Sequence, residues 1–231
     1  PHGITYIDGV SFGTVSYDNF FAILADGSAV IDYPANKDNY VDDKAIVYAV
    51  AGSQWLVREG KDVTANASGA YNTDRHSRTC VGVTADGKVV MMVLDGRQEP
   101  FSCGGSMHEL AQIMLEQGCI AAINLDGGAS TTYVSRPEGE NDFRVINRPS
   151  DGSPRSISAG LIIASTAAPS DVFDRAVLKA ENEYVTPGST VNVTANGVSP
   201  AGTAADIPDD VEWKLADDNM GTIENGVFVS N

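Results

Sequence analysis

At 231 residues, 42% hydrophobic and 20% charged, the chain is long enough to bury one sizeable core and a smaller second one. A formal net charge of −16 excludes the basic footprint that nucleic-acid phosphates or anionic lipids demand, and no apolar run approaches the roughly 18 residues of a membrane-spanning helix. Cys80, Cys103 and Cys119 have no CxxC spacing and cannot all pair, so they define neither a zinc site nor a redox compartment.

The opening residues PHGITYIDGV lack the basic start and apolar middle of a signal peptide, yet read as folded sequence. A preceding portion carrying an export signal is therefore expected. In FFAILADGSAVIDY, Asp26-Gly27 separates two apolar runs, the strongest short hairpin signal. Asp86-Gly87 repeats it in CVGVTADGKVVMMVLDGR, where the unbroken run Val89 to Leu94 predicts a central strand, buried on both faces and ending at Asp95.

In SMHELAQIMLEQG, Met107, Leu110, Ala111 and Met114 recur at helical spacing, and Gly118 supplies the stop. Ser106 and Glu109 match a capping box at its start. CIAAINLDGG reads as a short buried strand ending in glycines, and Ser156 to Ser165 as a further strand. Strands around a helix predict an α+β fold, a mixed β-sheet with packed helices.

Ser165 to Ala176 is rich in small and polar residues and contains Pro169, as a linker would be. A boundary near residue 168 divides residues 1–168 from residues 169–231. The tail holds three basic and eleven acidic side chains, a charge of −8 that serves solubility. Its short alternating runs, YVTPGSTVNVTANG, VEWKL and GTIENGVFVS, predict a small, incomplete all-β sandwich, and the tail resembles bacterial immunoglobulin-like repeats, which implies an immunoglobulin-like domain.

The chemistry concentrates in NLDGGASTTY, residues 124–133. Glycines after a strand let consecutive N–H groups point at one anion, Ser130, Thr131 and Thr132 add donors, and Asp126 can handle a proton or a metal ion. The same pattern also suits a tight turn with an Asx cap. Asn124 precedes Asp126 by two, so both side chains share a face if the strand extends that far.

The ordered set RTCVGVTADGKVVMMVLDGR, SMHELAQIML, INLDGGASTTYV and NRPSDGSPRSISAGLIIAS resembles the phosphodiester glycosidase family. The family pattern falls on Arg78, Asp95, Glu109, Asn124, Asp126 with Ser130, and Asp151 with Arg155. The match is strong from about Arg78 to Ser165. Ala129 stands where the family has a third glycine, and the family's upstream Asn-Gly-Gly-Phe-Phe motif is absent from the chain.

The resemblance implies a hydrolase that releases a sugar from a sugar-1-phosphodiester, acting on a cell-surface or extracellular glycoconjugate. Arg78 and Arg155, then Arg97, are candidates to hold the phosphate, because a guanidinium fork matches it bidentately. Asn124, Gly127, Gly128, Ser130 and Thr131 would complete substrate binding. Cleavage at an anomeric carbon builds positive charge on the ring, which requires carboxylates. Asp126 is the first candidate, with Asp95, Glu109 and Asp151 carried over from the family.

Each candidate also has a structural reading. Glu109 is fully explained as a helix cap, Asp95 and Asp151 as turn residues, and the arginines as surface ion pairs. His76 and His108 have no supporting motif and read as ordinary histidines. A divalent cation such as Ca²⁺ near Asp126 would suit the oxygen-rich loop. The competing class is a non-catalytic carbohydrate or cell-wall binding module of a secreted or bacterial surface protein, with the tail as a spacer or cell-wall contact.

Overall fold

A computed structural model of the chain describes residues 3–13 and 19–231. It divides into two compact units, residues 1–133 with 145–162 and residues 134–144 with 163–231. The second unit thus takes in a hairpin from within the first 168 residues.

The first unit is built on two five-stranded sheets. Tyr6–Ile7 (β1), Val10–Ser11 (β2), Asn19–Leu24 (β3), Ala29–Asp32 (β4) and Ile46–Gly52 (β5) form one, in the order β2-β1-β5-β3-β4. Trp55–Arg58 (β6), Lys61–Asp62 (β7), Arg78–Thr84 (β8), Val89–Leu94 (β9) and Cys119–Asn124 (β10) form the other, in the order β7-β6-β10-β8-β9. Every ladder in both sheets is antiparallel. Two helices are interspersed: the single turn Ala70–Thr73 (α1) and the ten-residue Met107–Glu116 (α2).

Strand alternation explains the layers. In β3, Phe20, Ala22 and Leu24 enter one cluster with Ile4, Ile46 and Ala49, while Phe21 points the other way, into a cluster with Val81, Val83 and Ile123 of the second sheet. The second sheet's far face packs Leu56, Val57, Cys80 and Ala122 against Met107, Leu110, Ala111 and Met114 of α2. The spacing of these helical residues and the Ser106–Glu109 capping box are as the sequence requires, and Gly118 follows with φ 79°. Asp26-Gly27 and Asp86-Gly87 turn the β3–β4 and β8–β9 hairpins, with both glycines at positive φ.

The fold corrects several expectations. The chain is mostly β, its sheets are antiparallel rather than mixed, and α2 is the only α-helix longer than one turn among the described residues, so the α+β assignment fails. One amphipathic helix suggested more helical packing than a sheet-on-sheet core needs. β9 is an edge strand, with Val89 and Met91 exposed; the central positions belong to β8 and β10. Hydropathy reports how apolar a strand is and not whether it has neighbours on both sides. Residues 156–165 form no strand: Ile162 and Ile163 are exposed and only Leu161 joins a core cluster.

In the second unit, Val134–Ser135 (β11) and Arg144–Val145 (β12) form a two-stranded ribbon. Arg175–Ala180 (β13), Thr190–Val198 (β14), Gly221–Glu224 (β15) and Val227–Ser230 (β16) follow in the order β13-β14-β16-β15. Arg175 pairs with Glu138 at 2.7 Å and Lys179 with Glu140 at 3.1 Å, tying the residue 134–144 hairpin to β13. The four long strands share one sheet order, whereas the expected sandwich needs two facing sheets.

Candidate active site

The ends of β5, β8 and β10 surround an open cavity of about 530 Å³ in the first unit. Its lining includes Ser53, Tyr71, His76, Arg78, Arg97, Asn124, Asp126, Gly127, Gly128, Asp151 and Arg155.

The glycine loop is laid across the start of β8. Leu125 N donates to Thr79 O at 2.8 Å, Gly128 N to Ser77 O at 2.8 Å, and Ser77 Oγ to Gly128 O at 2.8 Å. Gly128 sits at φ 60°, and a Cβ on Gly127 would meet Ser77 O at 3.0 Å, so both glycines are needed for this approach. Ala129 is buried and is not a positive-φ position, so the third glycine is dispensable.

The loop is not the expected cradle of free N–H groups. Gly128 N is spent on Ser77, while Ser130 N donates to Gly127 O and Thr131 N to Gly128 O. Thr131 is buried, with its hydroxyl 3.3 Å from Thr79 Oγ1, and neither Ser130 nor Thr131 lines the cavity.

Guanidinium groups supply the positive charge instead. Arg78 is buried: its Nε donates to Gly105 O at 3.1 Å, and its Nη2 to Tyr71 O and Asp74 O at 3.0 and 2.9 Å. It stands 5.6 Å from the centre of the Tyr71 ring. Burial pulls its pKa down, but an arginine stays charged, and among the described residues it has no carboxylate partner. Arg97 also lines the cavity without a carboxylate partner among the described residues, whereas Arg155 pairs with Asp151 at 2.7 Å. With His76 neutral, three guanidiniums face two carboxylates in a chain whose overall charge is −16.

Asn124 and Asp126 both line the cavity, although β10 ends at Asn124. Asn124 is buried, with Nδ2 within 3.2 Å of Ser53 Oγ and Tyr71 OH and 2.6 Å from Leu125 O. Asp126 is exposed, and no hydrogen bond to its carboxylate occurs among the described residues. Tyr71, Ser53 and His76 were not among the sequence candidates. His76 stands two residues before β8, and nothing in its spacing distinguishes it from a surface histidine.

Asp95 and Glu109 lie off the cavity. Asp95 accepts from Asn147 Nδ2 and Arg148 N, both at 2.9 Å, and Gln98 Nε2 donates to Arg148 O at 2.6 Å. These bonds anchor the arm that carries Asp151 and Arg155. Glu109 accepts from Ser106 N at 2.9 Å and pairs with Arg75. The Ser106 backbone bond leads the causes that hold its pKa below the usual carboxylate range.

A lowered folded pKa contributes stability above the unfolded value of about 4.3, lost as pH falls through the folded one. Glu109→Gln keeps an oxygen for the Ser106 N–H and removes only the charge, so it is expected to cost about 0.5 kcal/mol at neutral pH, to flatten the acid limb of the stability curve and to leave turnover unchanged. Denaturant melts across pH and an activity assay check this.

Around Asp126 the donor set does not fit a divalent cation. The nearby carboxylate Asp151 is paired with Arg155, Arg78 and Arg97 share the cavity, and no cluster of three or more His, Cys, Asp or Glu side chains occurs among the described residues. The arrangement suits an anion with hydroxyls beside it.

Fold and site together define an antiparallel β-domain with an arginine-lined pocket. A family model for phosphodiester glycosidases matches residues 1–164, and the chain belongs to that family. It is 30% identical over 128 residues to the human N-acetylglucosamine-1-phosphodiester alpha-N-acetylglucosaminidase, covering 49% of this chain and 24% of that protein. It is 30% identical over 161 residues to the SPbeta prophage-derived uncharacterized protein YomE of Bacillus subtilis, covering 64% of this chain and 23% of that one. The catalytic domain of the zebrafish N-acetylglucosamine-1-phosphodiester alpha-N-acetylglucosaminidase, solved auto-inhibited by its pro-peptide, superposes with a TM-score of 0.56 at 25% identity, over 67% of this chain and 55% of that one. The chain thus spans about a quarter of the length of these curated relatives.

Proposed function

We propose that the chain hydrolyses a sugar-1-phosphodiester to free sugar and a phosphomonoester. The observation that carries this is the cavity that Arg78, Arg97 and Arg155 line together with Asp126, whose carboxylate accepts no hydrogen bond among the described residues. Breaking the bond from the anomeric carbon to oxygen leaves positive charge on the ring and moves the phosphate from one negative charge toward two. Asp126 offsets the first and takes a proton from the attacking water; the guanidiniums offset the second. The named relatives point to N-acetylglucosamine as the sugar. The excess of acidic side chains suits an extracellular or cell-surface setting, with the second unit as a spacer or cell-wall contact.

Incubating the purified chain with an alkyl N-acetylglucosamine-1-phosphate tests the reading. Release of equimolar sugar and alkyl phosphate is expected. Saturable binding without product would overturn it and mark a carbohydrate-binding module.

A further inference from the structure

Arg97 and His76 form a pair that phosphate-holding alone does not explain. Arg97 Nε donates to His76 Nδ1 at 3.2 Å. A guanidinium Nε is always a donor, so this bond exists only while Nδ1 is bare, and a neutral imidazole with bare Nδ1 carries its proton on Nε2. The pair is built at some expense: Arg97 has φ 59°, a left-handed backbone that costs a non-glycine residue on the order of 1 kcal/mol. Its guanidinium rests over Gly128, where a Cβ would lie 3.2 Å from Nη1. Gly96 and Gly104 allow the backbone around Arg97 to press against His76 and Ser77, since a Cβ on either would fall within 2.4 Å of their backbone atoms.

We propose that Arg97 holds His76 as a neutral imidazole whose Nε2–H is a fixed hydrogen-bond donor to the phosphate oxygen that leaves the sugar; this rests on the glycosidase reading above. In the step, the bond from C1 to the bridging oxygen breaks and its electron pair stays on that oxygen, which becomes a terminal oxygen of the phosphomonoester. The water oxygen bonds to C1, and its proton passes to Asp126. His76 keeps its proton, because a neutral imidazole that gave up Nε2–H would become an anion. The leaving group needs no protonation, since a phosphomonoester's second pKa lies near 6.

The surroundings favour the neutral ring. Burial, then the charges of Arg97 and Arg78, lower the pKa of His76, while Asp74 and the Arg75 backbone oppose them. Asp126, Asp151 and Arg155 are the other charged groups lining the cavity.

The chain has three histidines, so ring nitrogens labelled with ¹⁵N can be assigned with a His76→Gln variant and followed by long-range ¹H–¹⁵N spectra. His76 is expected in the Nε2–H form, charging below the ordinary histidine range. Inorganic phosphate should shift the His76 Nε2 signal saturably and leave His108 still. Arg97→Lys keeps a charge but removes Nε; it should mix the tautomers, move the His76 transition upward and weaken phosphate binding about tenfold. A His76 with its proton on Nδ1, a transition unmoved by Arg97→Lys, or a phosphate response absent from His76 would overturn the proposal. None of these readouts uses turnover, so a chain that failed to cleave phosphodiesters while meeting them would sink the glycosidase reading and leave the donor pair standing.

Discussion

Asp126→Asn is expected to lower turnover of a sugar-1-phosphodiester by about 10²- to 10⁴-fold, the range a positioned acid–base group contributes, with the melting temperature unchanged. The structure makes the two readouts separable. Asp126 is exposed and forms no hydrogen bond among the described residues, so no part of the fold hangs on its charge. The loop is held instead by backbone bonds from Leu125 to Thr79 and from Gly128 to Ser77, which an amide at position 126 leaves alone. Removing a negative charge from a pocket lined by three arginines should leave phosphate affinity equal or higher, so a loss of rate cannot be read as a loss of binding. Steady-state release of sugar, a thermal melt and a phosphate titration suffice. Near-normal kcat with an intact melt would reduce Asp126 to a turn residue and move the chemistry to Asp151.

How far the fold could be read from sequence depended on the range of the interactions involved. The two Asp-Gly hairpins, the α2 stripe and its capping box are set within a dozen residues, and all are present. Which strand is central is decided by partners far away in the chain. The run Val89 to Leu94 is as apolar as a central strand, yet among the described residues it has a neighbour on one side only, whereas the equally long Cys119–Asn124 lies between β6 and β8. Residues 156–165 carry a strand-like composition without a ladder to join, and composition alone could not reveal that.

The site was legible in proportion to how much of it is local. Asn124, Asp126, Gly127 and Gly128 are contiguous, and all line the cavity, as do Arg78, Asp151 and Arg155 from the family pattern. Glu109 had two readings, and its contacts are those of the cap. Tyr71, Ser53 and His76 escaped because their roles come from a cross-chain meeting: Ser53 Oγ lies 2.6 Å from Tyr71 OH, and both reach the Asn124 amide. His76 gains its character from Arg97, 21 residues later, through a bond that no motif records.

Arg78→Lys should be the most disruptive conservative change, because Arg78 joins the architecture to the pocket. Its Nε serves Gly105 O on one side, and its Nη2 serves Tyr71 O and Asp74 O at the end of α1 on the other. An ammonium is a single point and cannot bridge both sides. The buried Gly105 carbonyl left without a donor costs about 1–3 kcal/mol, the part-buried Tyr71 and Asp74 carbonyls cost less, and the Tyr71 ring loses a planar cation worth about 0.5–1 kcal/mol. A total loss of about 3 kcal/mol is expected from denaturant unfolding. The functional effect should appear in KM more than in kcat, because loosening α1 displaces Tyr71 and with it the Ser53–Asn124 cluster that lines the pocket. A variant that lost the stability but kept its KM would show that Arg78 only supports the fold, leaving the phosphate to Arg97 and Arg155.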